Sequence, residues 1–232
     1  MASQTVWAQR WTASDSRPRL GGCCGSELDD CKMSVLIEAA RKIVRFLLGE
    51  YSAYFIYAAS GDQPSIPTAA AAAAAAAARG LTVSLIDAPA IQSATDSVIR
   101  EQAHYTGEGA CAFACFEGDR IVSVCFYWFG ERYRKRNYWP LSEDEAKLVQ
   151  IISVPEMRGR GSATLLIAES LQLMIRGGFS RAYARVWHSN TPSLRAFERA
   201  GWARLALVIE INPLRRRRPF RIRIATSHSG LH

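Results

Sequence analysis

The segment from Ala146 to Arg176 sets the strongest constraint on how this chain folds. It starts with nine residues, AKLVQIISV, that have the apolar and β-branched composition of a buried strand, and Pro155 ends that strand. A turn with two arginines and two glycines follows, and apolar residues at helical spacing then run on until Gly177-Gly178. The order predicts a strand, a glycine-rich turn and a helix in direct succession.

The turn itself, Arg158-Gly159-Arg160-Gly161, has the composition of an anion site. The start of a helix leaves backbone N–H groups without intrahelical acceptors and carries the positive end of the helix dipole. Glycine lets a ligand approach the backbone closely, and the arginines add full positive charge. The dinucleotide fingerprint and the Walker lysine are both absent, so the pattern indicates a shorter cradle for a pyrophosphate.

The rest of the chain alternates between strand-like and helix-like segments, which predicts a mixed α/β (α+β) fold. The predicted strands are Tyr51–Ala59, Leu81–Ile86, Ala110–Phe116, Arg120–Phe129, Ala146–Val154, Phe179–Trp187, Trp202–Ile211 and Pro219–Ile224. Predicted helices cover Ala90–Tyr105, Ser162–Arg176 and Asn190–Ala200, and a charged loop covers Glu131–Asn137.

Composition divides the chain into a domain and its flanking segments. Residues 1–32 are polar without periodicity and are predicted to be a disordered leader, and residues 33–50 form an amphipathic helix. One domain spans residues 51–225, with an alanine-rich surface insertion at 69–78, and a disordered tail covers 226–232. Met33 directly precedes the amphipathic helix, which suggests the hypothesis that the native protein starts there.

Composition also narrows the class of protein. Apolar residues make up 49% and charged residues 22%, as in a soluble globular protein, and no segment is long enough to span a membrane. The N-terminus has no apolar region of a signal peptide, so a cytoplasmic location is expected. Six cysteines occur without zinc or redox spacing, so no metal site is predicted, and Cys111 and Cys115 are expected in the core.

The net charge of +8 is concentrated at the C-terminal end, where seven arginines and one glutamate follow Ala203. A solvated cationic tail is one interpretation, and a patch for nucleic acid, anionic lipid or a polyanionic substrate is the other. Binding of nucleic acid is disfavoured because the tail does not interleave aromatic residues with these arginines in the pattern of a nucleic-acid-binding module. A membrane surface stays an alternative partner through the amphipathic helix.

A second motif lies about thirty residues after the arginine–glycine turn, in NTPSLRAFERAGW, Asn190 to Trp202. Together with RGRGSA it resembles the GNAT superfamily of N-acetyltransferases. That family carries Arg/Gln-x-x-Gly-x-Gly/Ala and then Asn-x-x-Ala/Ser-x-x-x-Tyr/Phe-x-x-x-Gly-Phe/Trp. The second pattern is met here by Asn190, Ser193, Phe197, Gly201 and Trp202. The resemblance covers roughly Tyr51 to Ile224 and is clearest from Lys147 to Ile211.

The resemblance implies a mostly antiparallel mixed sheet, flanked by helices, that splays around an acetyl-coenzyme A site. The pyrophosphate would rest on the turn and the pantetheine arm would pair with the preceding strand, while the second helix would contact the arm. The implied cofactor-binding residues are Ile151, Ile152, Ser153, Arg158, Gly159, Arg160, Gly161, Ser162, Ala163, Asn190, Ser193 and Phe197.

The sequence departs from the family pattern at the acid and base positions. Phe197 stands where many members carry a tyrosine thought to protonate the leaving thiolate, and neither strand flanking the expected thioester contains an acid. His188 follows one of those strands and is the candidate base, with a surface histidine at a strand end as the alternative. His104 and Glu108 are weaker candidates for the acceptor side.

The aromatic and basic run FYWFGERYRKRNYW, Phe126 to Trp139, is expected to border the acceptor site. Tyr127, Tyr133 and Trp139 are the predicted acceptor-binding residues, whereas Phe126 and Trp128 are predicted to be core.

The resemblance implies an N-acetyltransferase that moves an acetyl group from acetyl-coenzyme A to a primary amine by direct transfer in a ternary complex. A small amine or amino sugar is the first expectation for the acceptor, and an amine of a protein is the second. The absence of acidic residues from the two strands leaves a non-catalytic module that binds or senses acyl-coenzyme A as the alternative function.

Overall fold

The computed structural model describes residues 50–61, 71, 74, 78–135, 139–212 and 220–226, all within the compact unit Leu48–His232. The predicted leader, the amphipathic helix, most of the alanine run and the last residues of the tail lie outside the described residues.

One eight-stranded sheet forms the centre of the molecule. Its strands are β1 (Glu50–Ser60), β2 (Leu81–Ile86), β3 (Ala110–Glu117), β4 (Arg120–Trp128), β5 (Glu145–Ser153), β6 (Arg181–Trp187), β7 (Ala203–Asn212) and β8 (Phe220–Ala225). The strand order is β2-β3-β4-β5-β6-β1-β7-β8. Only β5 and β6 pair in parallel among the described strands, so the sheet is mixed and mostly antiparallel, as the sequence predicts.

The first strand lies in the middle of the C-terminal half of the sheet. β1 is antiparallel to β6 on one side, with Tyr57 opposite Ala184, and antiparallel to β7 on the other, with Phe55 opposite Leu207. β1 therefore separates two strands that α5 joins directly along the chain. This position buries both faces of β1, which explains its aromatic and apolar composition.

Helices cover both faces of the sheet. They are α1 (Ala88–Gln92), α2 (Ser97–Arg100), a 3-10 helix (Glu101–Tyr105), α3 (Gly130–Arg134), a short 3-10 turn (Pro155–Met157), α4 (Ser162–Arg176) and α5 (Thr191–Arg199). The Tyr127 hydroxyl lies 2.9 Å from the Ser170 hydroxyl of α4, and Tyr57 donates to Glu198 of α5 at 3.0 Å. These contacts put α4 and α5 against the same face of the sheet.

Two elements differ from the sequence prediction. The single helix expected over Ala90–Tyr105 is broken into α1, α2 and the 3-10 helix, because Asp87 caps α1 through the Ala90 N–H and Ser93 already ends it. The expected charged loop at Glu131–Asn137 begins with the short helix α3. Isolated short helices of this kind depend on packing rather than on propensity, which is why periodicity does not reveal them.

Candidate active site

The parallel strands β5 and β6 separate halfway along their length. They pair from Glu145 with Arg181 to Leu148 with Ala184, and no pair follows. Beyond this point β5 pairs with β4 alone, and β6 with β1 alone. One edge of each strand is therefore left without a strand partner, and a cleft opens through the sheet.

A β-bulge at Val149 coincides with the separation. Phe126 of β4 lies opposite Gln150 and Tyr127 lies opposite Leu148, so Val149 is an extra residue in β5. A bulge bends its strand and increases the local twist, which turns the second half of β5 away from β6. It also moves Gln150 to the sheet face that carries Phe126, and Gln150 there donates to Gln102 at 3.1 Å.

The cleft joins the two faces of the sheet. Paired residues share a face and neighbouring residues alternate, so Leu148 and Ala184 lie on the face covered by α4 and α5. Lys147 and Arg185 lie on the opposite face, where α3 packs. A ligand that enters from the face covered by α4 and α5 thus meets Leu148 and Ala184. A ligand that enters from the opposite face meets Lys147 and Arg185.

The cleft has a volume of about 200 Å³. Its lining combines apolar and polar side chains and contains no Asp or Glu among the described residues. The lining residues are Tyr133, Lys147, Leu148, Val149, Gln150, Ile151, Ala184, Arg185, Val186, Trp187, Asn190, Ser193 and Phe197.

The arginine–glycine turn lies at the N-terminus of α4, as the sequence predicts. Gly159 and Gly161 adopt left-handed φ angles of 76° and 87°, and a Cβ on either glycine would meet no atom within 4 Å. The N–H groups of Gly159, Gly161, Ser162 and Ala163 donate to no backbone acceptor among the described residues. Open space beside such N–H groups at a helix N-terminus is suited to a phosphate.

Arg79, which the sequence analysis did not include in the site, extends this charged turn. Its Nη1 donates to the carbonyl oxygen of Arg160 at 2.6 Å, although the two residues are 81 positions apart. The side chains of Arg158 and Arg160 are exposed. Three arginines therefore surround the start of α4.

A buried row of hydroxyl groups connects the end of β5 to the start of α4. The Ser123 hydroxyl lies 2.7 Å from that of Ser153 and 3.0 Å from that of Ser162. The hydroxyl groups of Ser153, which is half-buried, and of Ser162, which is buried, thus each contact Ser123 inside the protein. Ile151 lines the cleft, whereas Ile152 is paired with Val124 and lies outside the lining.

The start of α5 supplies the other predicted coenzyme contacts. Asn190 caps the helix by accepting from the Ser193 N–H at 3.3 Å, and both residues line the cleft. Phe197 is 2% exposed and packs against Tyr57 and Trp202, with ring centroids 5.5 and 5.1 Å away. The structure therefore brings three of the five residues of the second motif, Asn190, Ser193 and Phe197, to the cleft.

Lys147 is a cleft residue that the sequence analysis did not single out. It is 3% exposed, and its Nζ lies 5.5 Å from the centre of the Tyr133 ring. Burial, with a further contribution from the positive charge of Arg185, lowers the pKa of Lys147 from 10.5 to about 7. The sequence does indicate Lys147 as a candidate site residue, because a lysine within the largely apolar strand AKLVQIISV is unusual.

The three predicted acceptor-binding residues occupy different environments. Tyr133 lines the cleft, and its hydroxyl accepts from the Trp139 N–H at 3.1 Å. Trp139 packs on Tyr183, 6.0 Å between centroids, on the same sheet face but outside the lining. Tyr127 is fully buried against Ser170 of α4, so it is a core residue on the other face.

His188 is exposed and turned towards β1. Its Nδ1 lies 3.0 Å from the carbonyl oxygen of Ala53, which accepts a hydrogen bond from the Nδ1–H and leaves Nε2 as the ring nitrogen that carries the lone pair. β1 borders β6 on the side away from β5, and His188 is absent from the cleft lining. The catalytic role of His188 stays a prediction. Phe126 and Trp128 are buried, as expected.

Among the residues that the structure describes, no helix is long and apolar enough to cross a membrane. Nor, in the same part of the chain, do three or more His, Cys, Asp or Glu side chains converge in a group that would hold a metal ion.

Solved structures with a similar fold include several acetyltransferases. A GCN5-related N-acetyltransferase-like protein from Streptococcus suis is 11% identical, with a TM-score of 0.49, over 74% of this chain and 66% of that one. A GNAT-family acetyltransferase from Colwellia psychrerythraea is 10% identical, with a TM-score of 0.47, over 70% and 57%. The glucosamine N-acetyltransferase region of a fungal multi-domain GH3 β-N-acetylglucosaminidase is 14% identical, with a TM-score of 0.50, over 75% and 22%.

This chain thus spans about two thirds or less of the length of each of these structures, and at such identities the similarity concerns the fold. No curated protein sequence is significantly similar to it. Residues 81–202, however, match the sequence model of a protein family, which is described as "Acetyltransferase (GNAT) family". The match covers more than half of the chain and includes β2 to α5, with the turn and the strand separation. The chain therefore belongs to the GNAT family of acetyltransferases.

Proposed function

We propose that this chain is an acetyl-coenzyme A-dependent N-acetyltransferase that acts on a primary amine by direct transfer in a ternary complex. The observation that supports the proposal most is the opening through the sheet after Leu148 and Ala184. It gives a thioester and an amine separate routes to one point, the thioester from the helix face and the amine from the face of Lys147. Bringing two reactants together in this way supplies a large part of acyl-transfer catalysis.

The residues present fit acetyl-coenzyme A, which generally serves proteins of this family. The N–H groups of the turn from Arg158 to Ala163 would hold its pyrophosphate, with Arg79 adding charge beside Arg160. The free edge of β5 at Ile151 would pair with the amide groups of the pantetheine arm, and Asn190 and Ser193 would contact the same arm. When bound, the coenzyme supplies an acetyl group activated as a thioester.

Direct transfer is favoured over transfer through an acetylated cysteine. No cysteine lines the cleft among the described residues. Burial raises the pKa of the Cys115 and Cys125 thiols to about 12, so neither supplies a thiolate at neutral pH.

The cleft face that carries Lys147 and Arg185, opposite α4 and α5, favours a small acceptor with an apolar or anionic part. Arg185 lies over the rings of Trp187 and Tyr54, at 4.9 and 5.1 Å from their centres, beside Lys147. A lining that contains the guanidinium of Arg185 and no described Asp or Glu disfavours an acceptor with several ammonium groups. We therefore rank a small monoamine or an amino sugar first, and an amine of a protein second.

A non-catalytic module that binds acyl-coenzyme A is the second candidate function. Phe197 supports it because a phenylalanine ring has no proton to give to a leaving thiolate. The absence of Asp and Glu from the described lining supports it too. This candidate predicts coenzyme binding without turnover.

Calorimetric titration of acetyl-coenzyme A into the full chain, followed by thiol release over a panel of primary amines, tests the proposal. We expect micromolar binding that Arg158→Ala weakens and that Arg176→Ala, at the exposed opposite end of α4, leaves unchanged. Amine-dependent thiol release would support the acetyltransferase. Binding without release on any amine would support the second candidate, and no binding would contradict both.

A further inference from the structure

Lys147 occupies a position that no other titratable lining residue shares. It directly precedes Leu148, the last residue of β5 that pairs with β6, and it points to the sheet face from which the acceptor amine would approach. We infer that Lys147 is the residue that takes the proton from the acceptor amine, an inference that rests on the proposed function. A lysine in this role would take the place of a carboxylate, because the described cleft lining contains no Asp or Glu and Glu145, the one acid of β5, lies outside that lining.

The surroundings of Lys147 favour its neutral form. It is 3% exposed, and water is thus largely excluded from its amine. From β6, the positive charge of the Arg185 guanidinium opposes a second positive charge on Lys147. From α3, the Tyr133 ring lies with its centre 5.5 Å from Nζ. A pKa of about 7 leaves the amine about half neutral at physiological pH, so it can accept a proton there.

The acidic and basic groups on the surrounding elements are engaged elsewhere. Glu145 of the same strand accepts from the Tyr183 hydroxyl at 3.0 Å and from the Ser142 N–H at 2.9 Å. Arg132 of α3 lies over the Trp128 ring and donates to the Tyr105 carbonyl at 3.1 Å. These contacts hold both charges in fixed places on the neighbouring elements.

Other lining residues are less suited to the step. The Tyr133 hydroxyl already accepts from a backbone N–H, and an arginine such as Arg185 does not lose its proton in proteins. His188 lies on the β1 side of β6 and outside the described lining. Lys147 is therefore the lining side chain best able to take up a proton near neutral pH.

The step balances with no further reactant. The acceptor nitrogen forms a bond to the acetyl carbon, and the carbon–sulfur bond breaks with its electron pair going to sulfur. The proton that the nitrogen loses passes to Nζ of Lys147, and the resulting ammonium returns it to the sulfur or to solvent. The products are an N-acetylated amine and the free thiol.

The pH dependence of kcat/KM tests the inference on two panel amines with different pKa values. A limb that rises with pH and has the same midpoint near 7 for both amines belongs to the protein rather than to the acceptor. We expect Lys147→Met and Lys147→Arg to lower kcat/KM by about 10²- to 10⁴-fold and to remove that limb. Acetyl-coenzyme A binding, measured by calorimetry, should change less than about threefold, since these changes leave the turn at Gly159 and Gly161 intact. Lys135→Met, at an exposed lysine outside the cleft, is the matched control.

A readout independent of activity is competitive labelling with trace acetic anhydride across the pH range. Mass spectrometry would compare the labelling of Lys147 with that of a lysine in an added reference peptide. We expect the Lys147 curve to have its midpoint near 7, well below that of the peptide. This measurement uses the wild-type protein, so it stands even if a variant does not fold.

Three outcomes would overturn the inference. They are a Lys147→Met enzyme within about threefold of wild type, a rising limb that His188→Ala removes and Lys147→Met keeps, and a labelling midpoint equal to that of the peptide. Failure of the proposed function gives a different result. In that case the wild-type protein releases no thiol with any amine, and this holds whether or not the labelling midpoint of Lys147 lies near 7.

Discussion

Leu148 and Ala184 form the last pair between β5 and β6, and the cleft begins directly beyond them. The bulge at Val149 follows in the next residue of β5. A one-residue insertion in a strand thus coincides with the change from a closed sheet to an open one. Both side chains face α4 and α5, so the bottom of the cleft on that side is apolar.

Enlarging Ala184 should block the cleft without removing the fold. Ala184→Val adds two methyl groups to a side chain that is 1% exposed and lines the opening. Ala182→Val adds the same groups on the same strand and face, where β5 and β6 are still paired. We expect each to lower the free energy of unfolding by about 1–3 kcal/mol. Only Ala184→Val should weaken acetyl-coenzyme A binding in calorimetry, by about tenfold or more, and equal binding by both would contradict a site at the separation.

Gly161→Ala should weaken coenzyme binding beyond its effect on stability. Gly161 has φ of 87°, and its Cβ position faces open space beside the N–H groups of the turn. Gly118→Ala is the matched control, because Gly118 has φ of 60° and open space in the β3–β4 turn. Both changes should lower stability by about 1–2 kcal/mol, or roughly 2–8 °C in Tm. Calorimetry should find weaker binding only for Gly161→Ala, and unchanged binding there would argue against a phosphate at this turn.

Lys147→Met should change how stability depends on pH. Below pH 7 the wild-type lysine is protonated in both states, so the folded protein carries the whole penalty of a buried charge. Between pH 7 and 10.5 the unfolded state binds more protons than the folded state, so raising the pH stabilises the fold. The penalty corresponds to about 4–5 kcal/mol at 1.36 kcal/mol per pKa unit.

Urea unfolding at several pH values measures this effect. We expect Lys147→Met to be more stable than wild type at pH 6, and this advantage to shrink steadily towards pH 10. The exposed Lys135→Met should keep the wild-type slope. A constant difference between Lys147→Met and wild type across the range would mean that Lys147 is not buried as a titrating amine.

Substitutions at Tyr133 and at Tyr127 should have different effects, the first on the KM for the acceptor and the second on the free energy of unfolding. Tyr133→Leu removes a ring that lines the cleft and should raise the acceptor KM by about 3- to 10-fold. Tyr127→Phe removes the buried contact with the Ser170 hydroxyl and should lower the free energy of unfolding by about 1–2 kcal/mol with KM unchanged. Steady-state kinetics and denaturation distinguish them, and a KM effect at Tyr127 would contradict its position in the core.

Local patterns in the sequence were enough to predict most helices and strands and the part of the candidate site at the arginine–glycine turn. The alternation in β3 and β4 with Gly118 between them predicts a hairpin, and the apolar spacing after Gly161 predicts α4. The RGRG turn predicts an anion site because glycine geometry and helix dipoles act within a few residues. The same local reading missed the break at Ser93, where short helices depend on what they pack against.

Tertiary structure alone decided the rest. The insertion of β1 between β6 and β7, the separation after Leu148, and the approach of Arg79 to Arg160 all join residues far apart in sequence. Lys147 illustrates the physical reason. Its sequence neighbours fix which side of β5 it occupies, but its pKa depends on the exclusion of water and on Arg185, which only the packed sheet brings near. The sequence by itself thus determined the order of strands, turns and helices, and the fold decided which side chains meet at the cleft.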